Sequence, residues 1–398
     1  MGDKTKLATY RIPKTIYYPF GCNASQKKAV ENALTNQVSV IQGPPGTGKT
    51  QTILNIIANL LLAKKSVLVV SNNNSAVDNV AEKLEKEGLG FLVAKLGSVE
   101  NKEFFIANQQ NYPLMDNWKF EEVNSIKQQV TQALKDVSLC FDGQSKYALL
   151  KSELDALLKE TKYDIMHNEV SDNHKWLFNK PSKKLMSVRL QYGILMENSK
   201  KVSHFQMLKW SFALGFKIYK LLKSEPQTVI KAFESAYYVA RKRELENELL
   251  SIENSLKTID ISQRVTDLRQ LSLKVLKNSV AKRFTGERKR FTLTSIKPQT
   301  EAFLKEYPVV LSTTYSAKAC ISKDMVFDYL IMDEASQVDI KTGALALSCA
   351  MNAVIVGDDK QLPNVVSQEE EIALNAIQST YHVCLLYTSD AADDRISV

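Results

Sequence analysis

The sequence is short of the residues that build metal centres and disulfide frameworks. Its five cysteines, Cys22, Cys140, Cys320, Cys349 and Cys384, are scattered without a C-x-x-C pair or a histidine at zinc-ligand spacing. They read as free thiols, and no structural metal is expected. There are only four histidines, and His167, His174 and His204 stand at no ligand spacing. Long apolar runs are lacking too: residues 53–63 contain Asn55 and Asn59 and fall far short of the roughly 20 residues of a membrane span. Residues 1–11 are polar and lack the apolar segment of a secretory signal, so the reading places the chain in the cytosol with no membrane partner. Internal repeats and low-complexity segments are also missing.

What remains is the composition of an ordinary globular chain, 44% hydrophobic and 24% charged, long enough for two or three compact units. The net charge of +8 suits a polyanionic partner, because neutralising phosphates drives sequence-independent nucleic-acid binding. Charge alone selects no partner, since many basic proteins bind no nucleic acid.

Two stretches read as pieces of one α/β domain. In residues 1–100, a β-rich run at 37–42 leads into a glycine-rich loop, an apolar helix over about 50–63 and a second strand at 66–70, which makes a βαβ unit. In residues 304–383, the runs 308–311, 329–332 and 353–356 are short and apolar and end in polar loops, as buried parallel strands do. Each loop falls at a strand's carboxyl end, where open α/β sheets bind ligands. Residues 101–303 read as an all-helical insertion. Leu245, Leu249, Ile252, Leu256 and Ile259 form a heptad seam. Ile126, Val130, Leu134 and Val137 form a similar stripe, followed after the turn-like Asp142-Gly143 by Leu150, Leu154 and Leu157. An antiparallel stalk and a plain helical bundle both fit this pattern.

The most specific chemistry lies in Gly43-Pro44-Pro45-Gly46-Thr47-Gly48-Lys49-Thr50, which fits G-x-x-x-x-G-K-[ST] between a strand and a helix. Its glycines let the backbone wrap a phosphate, with N–H groups and a helix N-terminus aimed at the anion. Lys49 supplies a point charge to the β- and γ-phosphates of ATP, and Thr50 offers a hydroxyl to Mg²⁺. Asp333 and Glu334 follow the apolar strand Tyr329-Leu330-Ile331-Met332. Two acids at a strand end can divide the labour, Asp333 holding the Mg²⁺ shell and Glu334 orienting and deprotonating the attacking water.

Together the segments GPPGTGKT (residues 43–50), DEASQ (333–337) and GDDKQLP (357–363) resemble the Upf-like branch of the superfamily 1 helicases, which includes senataxin and the nonsense-mediated decay helicase. The GDxKQLP block separates this branch from DEAD-box proteins. The resemblance covers both α/β pieces, and the helical insertion only in outline. It implies a RecA-like P-loop NTPase domain with a parallel sheet, interrupted by the insertion. It also implies a monomeric motor with two such domains, ATP in the cleft between them, single-stranded DNA or RNA across their top, and 5′-to-3′ movement.

Residue by residue, the resemblance implies the following. Asn23-Ala24-Ser25-Gln26 matches the family's N-x-S-Q segment, in which Gln26 would read the adenine edge. Gln361 matches the glutamine that senses the γ-phosphate, with Asp358 before it in the same loop. Residues 74–78 (NSAVD) match a loop that contacts the nucleic-acid backbone, with Asn73 where the family has serine and Asn74 beside it. Ser312-Thr313-Thr314 ends a strand like the family's threonine-rich loop, which also touches the bound strand. Asn364 stands where a second proline usually follows GDxKQLP.

Family insertions form a stalk and an accessory domain that contact nucleic acid. Here Lys209, Trp210, Phe212, Phe216, Lys217, Tyr219 and Lys220 mix cations with aromatics, and Lys282, Arg283, Arg288, Lys289 and Arg290 add a basic group. Stacking platforms and a packed helical core both fit the first group; the Arg288-Lys289-Arg290 cluster is the stronger candidate for phosphate contact. The tail has another origin. Cys384-Leu385-Leu386-Tyr387-Thr388-Ser389 is what the transposase adapter string TGTCTCTTATACACATCT encodes, so residues 384–398 read as an adapter artefact and the second RecA-like domain as missing. An arginine finger on that domain is worth about 10³–10⁵ in rate, so the chain alone is expected to bind nucleotide weakly and hydrolyse it barely above background. A helicase motor and a nucleic-acid-stimulated clamp share every motif present. Intact Lys49, Thr50, Asp333 and Glu334 argue against a non-enzymatic scaffold.

Overall fold

Six short apolar runs form one parallel sheet. A computed structural model describes residues 6–72, 74–167, 172–199, 201–358 and 360. The strands are β1 (Val38–Gln42), β2 (Val67–Ser71), β3 (Val93–Lys95), β4 (Val309–Thr313), β5 (Phe327–Met332) and β6 (Ala350–Gly357), in the spatial order β1-β6-β5-β2-β4-β3. Every pairing is parallel, with Val67 opposite Val309 on one side and Tyr329 on the other. β2 is buried along its whole length, which is why it reads as an unbroken Val-Leu-Val-Val run. Because all six strands point the same way, the loops after β1, β2, β4, β5 and β6 leave the sheet at one edge. The strands expected from the sequence are all present; β3 was too short to stand out.

The helices are α1 (Ala24–Thr35), α2 (Lys49–Leu62), α3 (Asn74–Lys86), α4 (Val99–Ala107), α5 (Val123–His167), α6 (Ser182–Glu197), α7 (His204–Leu214), α8 (Ile218–Leu221), α9 (Pro226–Lys257), α10 (Ile261–Arg283), α11 (Thr300–Glu306) and α12 (Ile340–Leu347). The two asparagines that interrupt apolar α2 have a clear use. Asn55 Nδ2 donates to Gly21 O at 2.7 Å and its Oδ1 accepts from Phe20 N; Asn59 bonds both the N–H and the carbonyl of Tyr17. A buried side-chain amide thus replaces the missing sheet or helix partners of residues 17–21 and fixes that segment against α2.

The chain divides into two compact units, residues 1–137 with 262–398, and residues 138–261. The insertion is therefore narrower than the expected 101–303. Phe291, Ile296, Phe303 and Tyr307 belong to the same core as Leu68, Val70, Val310 and Leu330 of the sheet. Their rings meet edge-on or stacked, Phe291–Phe303 at 5.2 Å and Phe303–Tyr307 at 5.3 Å between centroids. Unit 138–261 has its own core, in which Trp210, Tyr192, Phe233 and Leu185 pack together and Trp210 Nε1 donates to Gln191 Oε1.

The turn expected at Asp142-Gly143 is absent: α5 runs through both residues. A side chain at Gly143 would bring its Cβ to 3.3 Å from Leu256 Cδ2, so the glycine admits Leu256 of α9 rather than bending the chain. Close approach here outweighs the helix cost of glycine, roughly 1 kcal/mol. Farther along, Lys146 lies 3.9 Å from Glu248 and Arg241 forks onto Glu153 at 2.6 and 2.8 Å. Rising numbers on α5 meet falling numbers on α9, which is an antiparallel pair.

Candidate active site

The phosphate loop joins β1 to α2 and needs two left-handed residues, Gly46 at φ 82° and Gly48 at φ 81°. A Cβ on Gly48 would also lie 2.2 Å from Gln26 Nε2, so only glycine fits. Thr47 Oγ1 donates to Pro44 O at 2.7 Å and closes the loop. Lys49 opens α2 and places Nζ 2.7 Å from Gly43 O, a cation held over the loop at a helix N-terminus. Loop and lysine together favour an anion.

Gln26 packs against the loop from α1. It is buried; its Oε1 accepts from Asn23 N in a capping box, while Nε2 donates to Thr47 O, Gly48 O and Gln51 Oε1 at 3.2–3.3 Å. Both ends of the amide are engaged, so Gln26 ties α1 to the phosphate loop.

Opposite the loop, β5 is followed by Asp333, whose N–H is tied to Val70 O at 2.8 Å. Burial pushes the Asp333 carboxyl above the ordinary range and nearby Glu334 adds to this; the Glu334 N–H bond and Lys49 pull it back. Glu334 sits at φ 52°, ψ 42°, a left-handed conformation that costs a non-glycine residue on the order of 1 kcal/mol. The Asp333 Oδ1 bond to Glu334 N, 2.9 Å, holds it there. The end of β6 presses on the same turn: a Cβ on Gly357 would meet Ser336 N at 3.3 Å. Asp358 is buried and accepts from Lys360 N, whereas Gln361 and Asn364 lie outside the described residues.

Gly46, Lys49, Thr50, Asp333 and Glu334 line one cleft of about 760 Å³. These donors fit a nucleoside triphosphate with Mg²⁺: an anion-binding loop, a cation, and a hydroxyl and a carboxylate of the hard oxygen type that Mg²⁺ takes. The cleft also takes in residues that sequence reading missed, Phe20, Gln51, Lys83, Lys86, Glu87 and Arg269. None belongs to a motif, and, apart from Gln51, which directly follows the loop, only the fold brings them to it.

The neighbouring loops share the edge. Asn72 Nδ2 donates to Gln337 O at 2.7 Å, tying the end of β2 to the turn after Glu334. Asn73 lies outside the described residues, and Asn74 is the first residue of α3. The side chains of Ser312 and Thr314 are buried by the packed end of β4, which removes them from direct strand contact; Thr313 is partly exposed. Next to them Tyr315, 78% exposed, is the ring that the sequence analysis passed over.

The basic clusters need a sharper correction. Arg288 is 6% exposed. Its guanidinium lies 4.2 Å from the Tyr307 ring centre and 5.3 Å from that of Tyr112, donates to the carbonyls of Gln110 and Phe91, and has Glu306 at 3.8 Å. It is a packed core cation, not a phosphate ligand; Lys289 and Arg290 remain exposed. In the other cluster Trp210 is core, while Phe212 and Phe216 are exposed. The four described cysteines are buried and unpaired, and no described helix is long and apolar enough to cross a membrane.

Comparison with known proteins agrees with this geometry. A stretch of 74 residues is 46% identical to DNA polymerase alpha-associated DNA helicase A of Schizosaccharomyces pombe, covering 18% of this chain and 11% of that protein. Another of 133 residues is 36% identical to Regulator of nonsense transcripts 1 of Caenorhabditis elegans, covering 32% and 12%. A third, of 85 residues, is 39% identical to DNA-binding protein SMUBP-2 of Mesocricetus auratus, covering 21% and 9%. The matches thus span about a tenth of these relatives' length. A family model described as AAA domain, AAA_11, matches residues 21–369, most of the sequence. The chain belongs to this family, the Upf-like superfamily 1 helicase domain.

Proposed function

We propose that the chain is a helicase motor domain that binds and hydrolyses ATP with Mg²⁺ and couples this to single-stranded DNA or RNA. The observation that carries the reading is the meeting of the phosphate loop with Asp333 and Glu334 in one cleft. Lys49 and the loop amides hold the phosphates, and Thr50 and Asp333 hold Mg²⁺, which neutralises charge on the transferred phosphoryl group. Glu334, set forward by its left-handed backbone, orients the attacking water and takes its proton. Burial of Asp333 favours a carboxyl that gains from a cation beside it.

The strand lies across the same sheet edge, on the loops after β2 and β4. The Asn72–Gln337 bond supports a short route from the water-activating turn to the strand. Thr313, the amides of Asn74 and Ser75 and the ring of Tyr315 supply its contacts; Lys289 and Arg290 supply further phosphate contacts. Movement is 5′ to 3′, as the resemblance implies.

The test combines binding and turnover. Fluorescent ADP titrated with Mg²⁺ should bind the protein, and Lys49→Ala should abolish binding through the lost phosphate contact. Glu334→Gln should bind ATP as the parent does while its single-strand-stimulated hydrolysis falls at least about 100-fold, the scale of a lost general base. Parental turnover in Glu334→Gln would refute the catalytic assignment. Strand displacement on tailed DNA and RNA duplexes then separates a motor from a clamp that hydrolyses without unwinding.

A further inference from the structure

Another cavity, of about 360 Å³, lies at the far end of α2 from the nucleotide cleft. α2 opens with Lys49 at the phosphate loop and closes at Leu62, and its 14 residues span about 20 Å at 1.5 Å each. The phosphate loop follows the carboxyl end of β1, whereas the turn after Leu62 precedes the amino end of β2. The cavity therefore belongs to the sheet edge opposite the loops that hold nucleotide and strand.

Its wall is cationic. Lys64 follows α2, Lys127 stands in the second turn of α5, and Lys282 and Arg283 end α10; no acid is among the lining residues. On α10, Ser279, Lys282 and Arg283 recur at three- and four-residue spacing, which puts them on one face. The ordinary use of such cations is to answer helix carbonyl ends. The C-termini of α2 and α10 carry about half a negative charge each, so four cations leave a surplus of about three.

Neighbouring carboxylates do not take up this surplus. Lys65 pairs with Asp328 at 2.8 Å, but among the described residues Lys64, Lys127 and Lys282 have no carboxylate within ion-pair distance. Arg283 donates to Lys305 O at 3.2 Å; Glu306, whose charge favours it, is held by Tyr112 and lies 3.8 Å from Arg288. The hydroxyls of Ser279 and Tyr17, also in the wall, have no hydrogen-bond partner among the described residues. Lys64 sits at φ 57°, a left-handed helix end that glycine adopts without strain and lysine does not.

We propose that this cavity is a second anion site, which takes a compact oligophosphate between α2, α5 and α10. Cations and hydroxyls converging on one small cavity suit several charged oxygens at once, where a single carboxylate would leave most of them unpaired. The site uses none of the phosphate loop and stands whether or not the nucleotide reading does. α5 carries the chain into unit 138–261 and α10 carries it out, so the ligand ties the roots of both helices to the helix that begins at the phosphate loop.

Magnesium-free tripolyphosphate, titrated calorimetrically into the whole chain carrying Lys49→Ala, tests the site with the phosphate loop silenced. One binding event is expected. Adding Lys64→Gly, which also relieves the left-handed backbone, together with Lys127→Ala should weaken it at least about tenfold through two lost charge-assisted contacts. Adding Lys151→Ala with Lys159→Ala, exposed lysines farther along α5, removes the same charge and should leave affinity within about twofold. ATP without Mg²⁺ should bind no more tightly than tripolyphosphate, and a short single-stranded oligothymidylate should not displace it. Equal weakening by both lysine pairs would mean an adventitious ion only and sink the site. Absence of binding to Lys49→Ala, a preference for ATP beyond about tenfold, or displacement by the oligonucleotide would each overturn it too. A parental protein that binds a single tripolyphosphate, no more tightly than Lys49→Ala does, would count against the nucleotide reading and leave this site in place.

Discussion

A cation can be surface chemistry or core chemistry, and Arg288 shows how little the sequence distinguishes them. Its neighbours Lys289 and Arg290 make a basic run, yet burial among Tyr307, Tyr112 and Phe91 lowers its pKa, opposed by the nearby Tyr307 and by Glu306. Arg288→Ala should cost about 3 kcal/mol or more, because Glu306 loses a buried partner and two carbonyls lose their donor. Urea unfolding should show this as a lower midpoint; Lys289→Ala and Arg290→Ala should leave the midpoint in place and weaken strand binding. Thr314 makes the opposite case. Its buried hydroxyl finds no partner among the described residues, so Thr314→Val, of nearly the same shape, should keep or raise stability and leave single-strand affinity within twofold. A tenfold loss of affinity in that variant would restore the threonine to the strand-binding surface.

At the scale of elements, the ends of β2 and β5 are pinned together by one carboxylate. Asp328 accepts from Lys65 Nζ, Ser66 N and Ser66 Oγ at 2.8–2.9 Å. Burial alone would raise its pKa, but the bonds from Lys65 and Ser66 outweigh it and hold the carboxyl below the usual range. A depressed acid stabilises the fold above its unfolded value, about 3.9, and that stability is lost as pH falls through the lower folded value. Asp328→Asn should therefore be less stable than the parent by a constant margin from pH 7 to about 5, with the gap closing below about 4; urea midpoints across that range would show it. The strands themselves were legible because uninterrupted Val, Leu and Ile runs have few other uses. The Gly143 break was not: a glycine at a turn and a glycine under a packed leucine are identical in sequence, and only Leu256, more than a hundred residues away, decides between them. Tyr315 and Arg269 were missed for the same reason, since nothing near them in the chain marks their place.

For the whole molecule, each compact unit has its own core, and this makes their stabilities separable. Trp210→Ala should remove about 3–5 kcal/mol from unit 138–261 while Mg·ADP affinity stays within twofold, whereas exposed Phe212→Ala should change neither. Calorimetry and nucleotide titration on the same samples test this, and a parallel loss of nucleotide affinity would refute it. The nucleotide site was legible because its loop is contiguous and the acids that complete it end a recognisable strand. The unit boundary was not, because residues 284–306 lack strand character and join the sheet's core through scattered side chains such as Phe291, Ile296, Phe303 and Leu304.

The parallel sheet also sets a timetable for biosynthesis. β2 pairs with β4 and β5, and Val67 meets Val309 only after about 240 further residues have been made, a closure whose entropy cost grows slowly with length but whose delay does not. At about 5–20 residues per second, the ribosome leaves both edges of β2 open for on the order of 10–50 s. Throughout that interval Val-Leu-Val-Val is an uncharged β-forming segment without its partners, the kind that pairs with other chains. Nascent chains halted between residues 110 and 300 should therefore aggregate or recruit chaperones, and those extended past residue 357 and clear of the exit tunnel should not. The insertion that enlarges the motor thus lengthens the period in which its central strand is exposed.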